Sequence, residues 1–212
     1  MIQKYLPADI LDLYEVHNYR HAAEVLSTGC SAELDEIVEA LREFRFTTDD
    51  ISVSGGNESN IPKIMSSLLR PKQWYETRIY GDLLLTISTY KKKTLTEKSE
   101  RRIEKVIDGH KIDYVKNNVA FDLEWNSKDQ TFDRDLYAFR AFHEAGVIDA
   151  AVMLTRSASL DNVFKDLGIM NKYGASTTWM GKLTYRLNAG RNGGCPVLVF
   201  GITPKLMKDL RK

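Results

Sequence analysis

A chain of 212 residues can bury a substantial core and suits one large domain or two small ones. It is 43% hydrophobic and 28% charged, as in ordinary globular proteins, and no run approaches the roughly 18 apolar residues of a membrane span. The formal net charge of +1 excludes a globally basic nucleic-acid binder, so an anionic partner has to be met by local patches or by metal ions. Cys30 and Cys195 lie far apart and make neither a disulfide framework nor a zinc spacing. With no apolar signal core near the N-terminus, the expected compartment is a reducing cytoplasm.

In chain order, "DILDLYEVHNYRHAAEVL" is mixed in period and is expected to be a strand with polar flanks. "SAELDEIVEALREF" is a helix: Leu34, Ile37, Val38, Leu41 and Phe44 share a face, with Ser31 as N-cap. "SVSGGNESN" has loop composition, and "IPKIMSSLL" restarts a helix with Asn60 as cap and Pro62 in the first turn. "RIYGDLLLTISTY" is rich in β-formers, and "TEKSERRIEKVI" is expected to be a short charged helix or loop.

"KIDYVKNNVAFDLEW" then predicts a hairpin turning at Asn117–Asn118. "DRDLYAFRAFHEAG" follows as a helix with Leu136, Phe139, Phe142 and His143 inward and Gly146 as its stop. "DAAVMLT" and "PVLVFGI" are buried strands, separated by helices that Gly168 and Gly190 close; the tail is a short basic helix. The order from residue 111 argues an α/β fold with a mixed central sheet flanked by helices. We expect a single domain over 1–212, with a strand and helices over 1–75 and the core of that α/β fold over 76–204.

The hairpin carries three carboxylates. Side chains alternate along a strand, so Asp122 and Glu124 share a face and Leu123 takes the other. A tight hairpin brings Asp113 near Asp122. Three such groups repel unless a cation joins them, and hard oxygen ligands suit Mg²⁺, which activates water and neutralises charge on a phosphate. Spacing alone serves equally an edge hairpin whose acids face solvent.

At these residues the chain resembles the type II restriction endonucleases of the BamHI, BglII and BstYI group, within the PD-(D/E)xK nuclease superfamily. Their pattern is an Asp on one strand, then an acid, an apolar residue and a third polar residue on the next. Asp113, Asp122, Leu123 and Glu124 follow it. The third position is Lys in much of the superfamily, Gln in BglII and BstYI, and Glu in BamHI. Asp122 departs from the Glu of these relatives, and Glu124 from the Gln of the nearer ones. "RPKQWYET" resembles a Trp-centred stretch whose third residue after Trp reaches the metal or its water; that residue is Thr77, with Glu76 a stronger ligand one place off. "AGRNGGCPVLVFGITP" resembles the last core strand and its approach, so the likeness covers about residues 50–204.

The resemblance implies a restriction-endonuclease-like core and Mg²⁺-dependent hydrolysis of double-stranded DNA. It further implies a homodimer reading a short palindrome centred on GATC, within a prokaryotic restriction–modification system. Asp113, Asp122 and Glu124 would be catalytic and metal-binding, with Glu76 or Thr77 beside them. Base or phosphate contacts would come from Asn126, Ser127 and Lys128 and from Ser176, Thr177, Thr178 and Lys182 in "GASTTWMGK", with Arg191 in "GRNGG" on a phosphate. Ser and Thr serve equally as helix caps, "GRNGG" equally as a plain turn, and Lys91–Lys93 as a solvated face or a phosphate contact. His17, His21, His110 and His143 form no metal or triad pattern. A structure-specific or repair nuclease of the same superfamily, or a non-catalytic DNA-binding domain, are the alternatives.

Overall fold

The computed structural model describes residues 2–52 and 59–210. Six strands form one mixed sheet in the order β1-β6-β5-β4-β3-β2. They are β1 (Tyr14–Tyr19), β2 (Tyr75–Lys91), β3 (Thr94–Lys116), β4 (Val119–Glu124), β5 (Ala150–Arg156) and β6 (Val197–Ile202). The chain divides into two compact units, residues 1–77 with 112–212, and Arg78–Lys111. No feature of the sequence pattern announces that division.

In the larger unit β4, β5 and β6 run parallel and are buried along their whole length. Such strands need a helical layer on each face, and the apolar runs supply both. On one face Phe121, Leu123, Val152, Leu154, Leu198 and Phe200 join the main core. Helices α2 (Ala22–Gly29), α3 (Ser31–Glu43) and α5 (Asn60–Leu69) contribute Leu26, Ile37, Leu41 and Met65 to it. On the other, α6 (Thr131–Glu144) and α8 (Met180–Asn188) bury Leu136, Phe139, Phe142, Leu183 and Leu187. Gly146, Gly168 and Gly190 follow their helices at φ of 70°, 68° and 72°, a backbone conformation that favours glycine.

The strand expected within residues 9–26 is present but short, and its flanks are helical. Only Tyr14–Tyr19 is extended, pairing antiparallel with β6, between α1 (Ala8–Leu13) and α2. Ser31 is the first residue of α3 and makes no cap, Cys30 standing in that place; α5 is capped by Ser59, whose side chain accepts from Ile61 N, and not by Asn60. Pro62 lies in the first turn, as its spacing predicts. His143 is half-buried and not inward like its neighbours. Among the described residues of the tail there is a 3₁₀ turn at Pro204–Leu206 and no α-helix. The loop expected over 52–60 falls mostly on 53–58, outside the described residues.

The smaller unit is a two-stranded ribbon made of Arg78–Lys91 of β2 and Thr94–Lys111 of β3. The charged stretch 96–107 is therefore strand, against the expectation of helix or loop. With every residue from Thr86 to Arg102 exposed, no core face enforces alternation, and charges are tolerated at successive positions.

Candidate active site

The hairpin of β3 and β4 turns at Asn117–Asn118, and its register pairs Tyr114 with Phe121, Val115 with Ala120 and Lys116 with Val119. One further step in that register sets Asp113 opposite Asp122. The odd residues of β4 fix its orientation: Phe121 stacks edge-on against Tyr114. Beyond the strand end, Trp125 packs against Phe46, Phe164 and Tyr173. With those rings in the core, Asp122 and Glu124 have to point to the opposite face, toward α6. They are 4% and 7% exposed.

A fourth carboxylate meets them there. Asp135 on α6 is 1% exposed. Burial, then the charges of Asp135, Asp113 and Glu124, hold Asp122 well above the usual carboxylate range. Burial, then Asp135, pushes Glu124 up to about 8, against Ser127 and Arg134. Asp135 is pushed up to about 6, by burial, although Arg134 pulls it down. Glu124 Oε2 and Asp135 Oδ2 are buried with no hydrogen-bond partner. Asp122 Oδ1 accepts from Leu123 N at 2.9 Å.

Among the described residues, the cation that answers this group is Arg134, whose side chain is 68% exposed; it sits 2.9 Å from Asp135 and 3.6 Å from Glu124. No group of three or more metal-ligating side chains is preassembled among the described residues. Orphaned carboxylate oxygens and an excess of buried negative charge nonetheless fit a divalent cation, since Mg²⁺ takes only one or two carboxylates and completes its shell with water and phosphate.

Reasoning from sequence misses both Asp135 and Arg134. A signal is present: counting back from Phe139 and Leu136 at helical spacing brings Phe132 and Asp135 to the same buried face. An acid in that stripe needs a reason. Glu76 is exposed and Thr77 half-buried at the start of β2, and Thr77 Oγ1 donates to the carbonyl of Tyr75 at 3.3 Å. Glu76 is not among the principal influences on Asp122 or Glu124. Their anchor, Trp74, is fully buried and donates Nε1 to Glu36 at 2.9 Å.

The two segments expected at DNA lie side by side. Thr178 N donates to Ser127 O at 2.9 Å, Asp129 N donates to Ser176 O at 2.9 Å, and Lys128 bridges to Thr177. Ser127, Lys128 and Ser176 are exposed, and Asn126 is half-buried. Thr177 and Thr178 are turned inward. Thr177 Oγ1 donates to Gly174 O and accepts from the buried Arg156 Nη2, both at 2.7 Å; Thr178 is fully buried. Lys182 pairs with Asp129 at 3.3 Å, and Arg191 with Asp133, which Arg186 also approaches at 3.1 Å.

Among the described residues no helix is long and apolar enough to cross a membrane. No curated protein matches the chain. The family model of the restriction endonucleases BglII and BglIII matches residues 14–202, from the first residue of β1 to the last of β6. The chain belongs to that family of restriction endonucleases, and its activity is accordingly that of a site-specific deoxyribonuclease.

Proposed function

We propose that the chain is a type II enzyme that hydrolyses phosphodiester bonds of double-stranded DNA with Mg²⁺, as a homodimer, at a short palindromic site. The observation that carries the reading is the grouping of Asp113 with the buried Asp122, Glu124 and Asp135, answered by the exposed Arg134. Asp113 and Asp122 would hold the metal, which when bound supplies an activated water and neutralises charge on the phosphate. Glu124 presents an unpartnered oxygen beside them and takes the proton of the attacking water. Asp135 fixes Arg134, and Arg134 faces the phosphate as an exposed charge.

Ser127, Lys128 and Ser176, held together by the bonds between their segments, form the surface nearest the strand end that delivers the acids. They contact bases and phosphates, with Asn126 at the margin. Thr177, Thr178, Lys182 and Arg191 hold that surface in place more than they touch DNA. A two-fold dimer presents the same surface to each half of a palindrome.

The test is a plasmid digest with Mg²⁺ and with chelator. Discrete bands that need the metal support the reading, and sequencing their ends gives the site, with GATC-centred hexamers tried first. A smear, or no cutting in Mg²⁺, would sink it.

A further inference from the structure

The geometry points to the ribbon Arg78–Lys111 as a second DNA contact, an arm that grips phosphates without reading sequence. This rests on the nuclease reading above. The ribbon carries nine Lys and Arg against five Asp and Glu, a net of +4; the whole chain is +1, which leaves −3 on everything else. The charge is further concentrated at the outer end. From Lys91 to Arg102 there are six basic residues and two acidic ones, and every one of these twelve residues is exposed. Lys91, Lys92, Lys93, Lys98 and Arg101 make no salt bridge among the described residues; Arg102 alone pairs, with Asp82.

The turn is the second observation. β2 ends at Lys91 and β3 begins at Thr94, so Lys92 and Lys93 are the whole loop. Their φ values are 50° and 69°, the left-handed conformation that two-residue hairpin turns require and that Asn and Gly adopt most easily. Lysine at both positions is a poor choice for folding. It is a good choice for placing cations at the tip of a rod, and strained residues are retained where function needs them.

A bare two-stranded ribbon is marginal in water, so a partner is expected for it. A second copy of this chain would bring a second +4 tip against the first in any two-fold pairing of the tips, and like charges repel. Duplex DNA brings the opposite charge at regular spacing, and exposed Tyr90 and Leu95 can lie against sugars between phosphates.

The test uses the full chain and a random-sequence duplex without divalent ions, with the dissociation constant followed against salt. The variant is Lys91→Gln with Lys92→Asn and Lys93→Asn; asparagine suits the turn better than lysine, so folding is preserved. Each phosphate no longer neutralised flattens the slope of log K against log salt by about 0.9, so giving up one to three phosphates is expected to flatten it by roughly 1 to 3. Binding weakens about tenfold or more at low salt. The variant with arginine at all three positions should keep the wild-type slope. Cognate cutting by the asparagine variant should keep its preference over one-base variants of the site. An unchanged slope in a protein that still binds and cuts DNA overturns the arm alone. A slope unchanged while sedimentation shows reduced self-association overturns it in favour of an interface between copies. A wild type that binds no duplex overturns the arm and the nuclease reading together.

Discussion

Arg134 donates from Nε and Nη2 to one oxygen of Asp135, at 3.0 and 2.9 Å, and leaves the other oxygen of that buried carboxylate without a hydrogen-bond partner. An ion pair used only for stability would satisfy both oxygens, as a bidentate arginine can. Here the second oxygen is kept free beside Asp122 and Glu124. Both partners lie on α6, and Arg134 reaches on to Glu124 at 3.6 Å, so the pair borders β4 and bears on the charge that Glu124 feels.

Replacing Asp135 by Asn tests that coupling. After burial, Asp135 is the largest influence raising Glu124. Removing its charge lowers the pH at which Glu124 gives up its proton. The rising limb of the pH–kcat profile should therefore move to lower pH, while KM for DNA changes little. A profile that falls uniformly with no shift along the pH axis would mean that Asp135 acts only on packing.

Asp122→Asn should reduce cleavage by a factor on the order of 10² or more while DNA binding survives. Asn keeps the acceptor that Leu123 N uses, so the strand is preserved, and it removes a buried charge that Asp135, Asp113 and Glu124 oppose. The same variant should melt higher than wild type in chelator at alkaline pH. Cutting at the wild-type rate in Mg²⁺ would remove Asp122 from the metal site.

The buried carboxyls also set a pH dependence of folding. Glu124 rises from 4.5 to about 8, and Asp135 from 3.8 to about 6, burial being the first cause of both. The unfolded chain releases these protons near 4, whereas the folded chain keeps them. Their contribution to stability is therefore complete below about pH 4 and is lost as pH climbs toward 8. Melting temperature in chelator should fall across that window, and Glu124→Gln should flatten the fall. Mg²⁺ should restore more stability at the alkaline end, where the ligands are ionised. Melts of wild type and Glu124→Gln that are parallel over the whole range would contradict this.

Strand β4 was legible because its two faces obey different rules. Phe121, Leu123 and Trp125 had to be buried, so Asp122 and Glu124 had to share the other face, and the Asn117–Asn118 turn fixed where Asp113 fell. The ribbon was not legible as strand beyond Tyr90. Its sequence answers to solvent on all sides, and a charged segment without a buried face carries no period. Asp135 was hidden for the opposite reason: its helix has so strong an apolar stripe that one acid inside it does not alter the period. The hydroxyls of the 176–178 loop looked alike in sequence, and only the fold separates the one that faces outward from the two that do not.

That separation gives the last prediction. Ser176 is exposed, while Thr177 bridges Gly174 O and Arg156, and the hydroxyl of Thr178 is buried without a partner. Thr177→Ala leaves a buried guanidinium one acceptor short and should cost about 1–3 kcal/mol of stability, read as a lower urea midpoint. Thr178→Val replaces an unsatisfied hydroxyl by a methyl of the same shape and should be neutral or slightly stabilising. Neither should change the preference for the cognate site once the protein is folded. Ser176→Ala with Ser127→Ala should do the reverse: stability unchanged, and discrimination against one-base variants reduced by roughly 1–3 kcal/mol for each base that is no longer read. Rates on cognate and variant duplexes for the four substitutions separate the two roles. If Thr178→Val relaxed the site and the serine pair did not, the surface that reads DNA would have to lie on the other side of this loop.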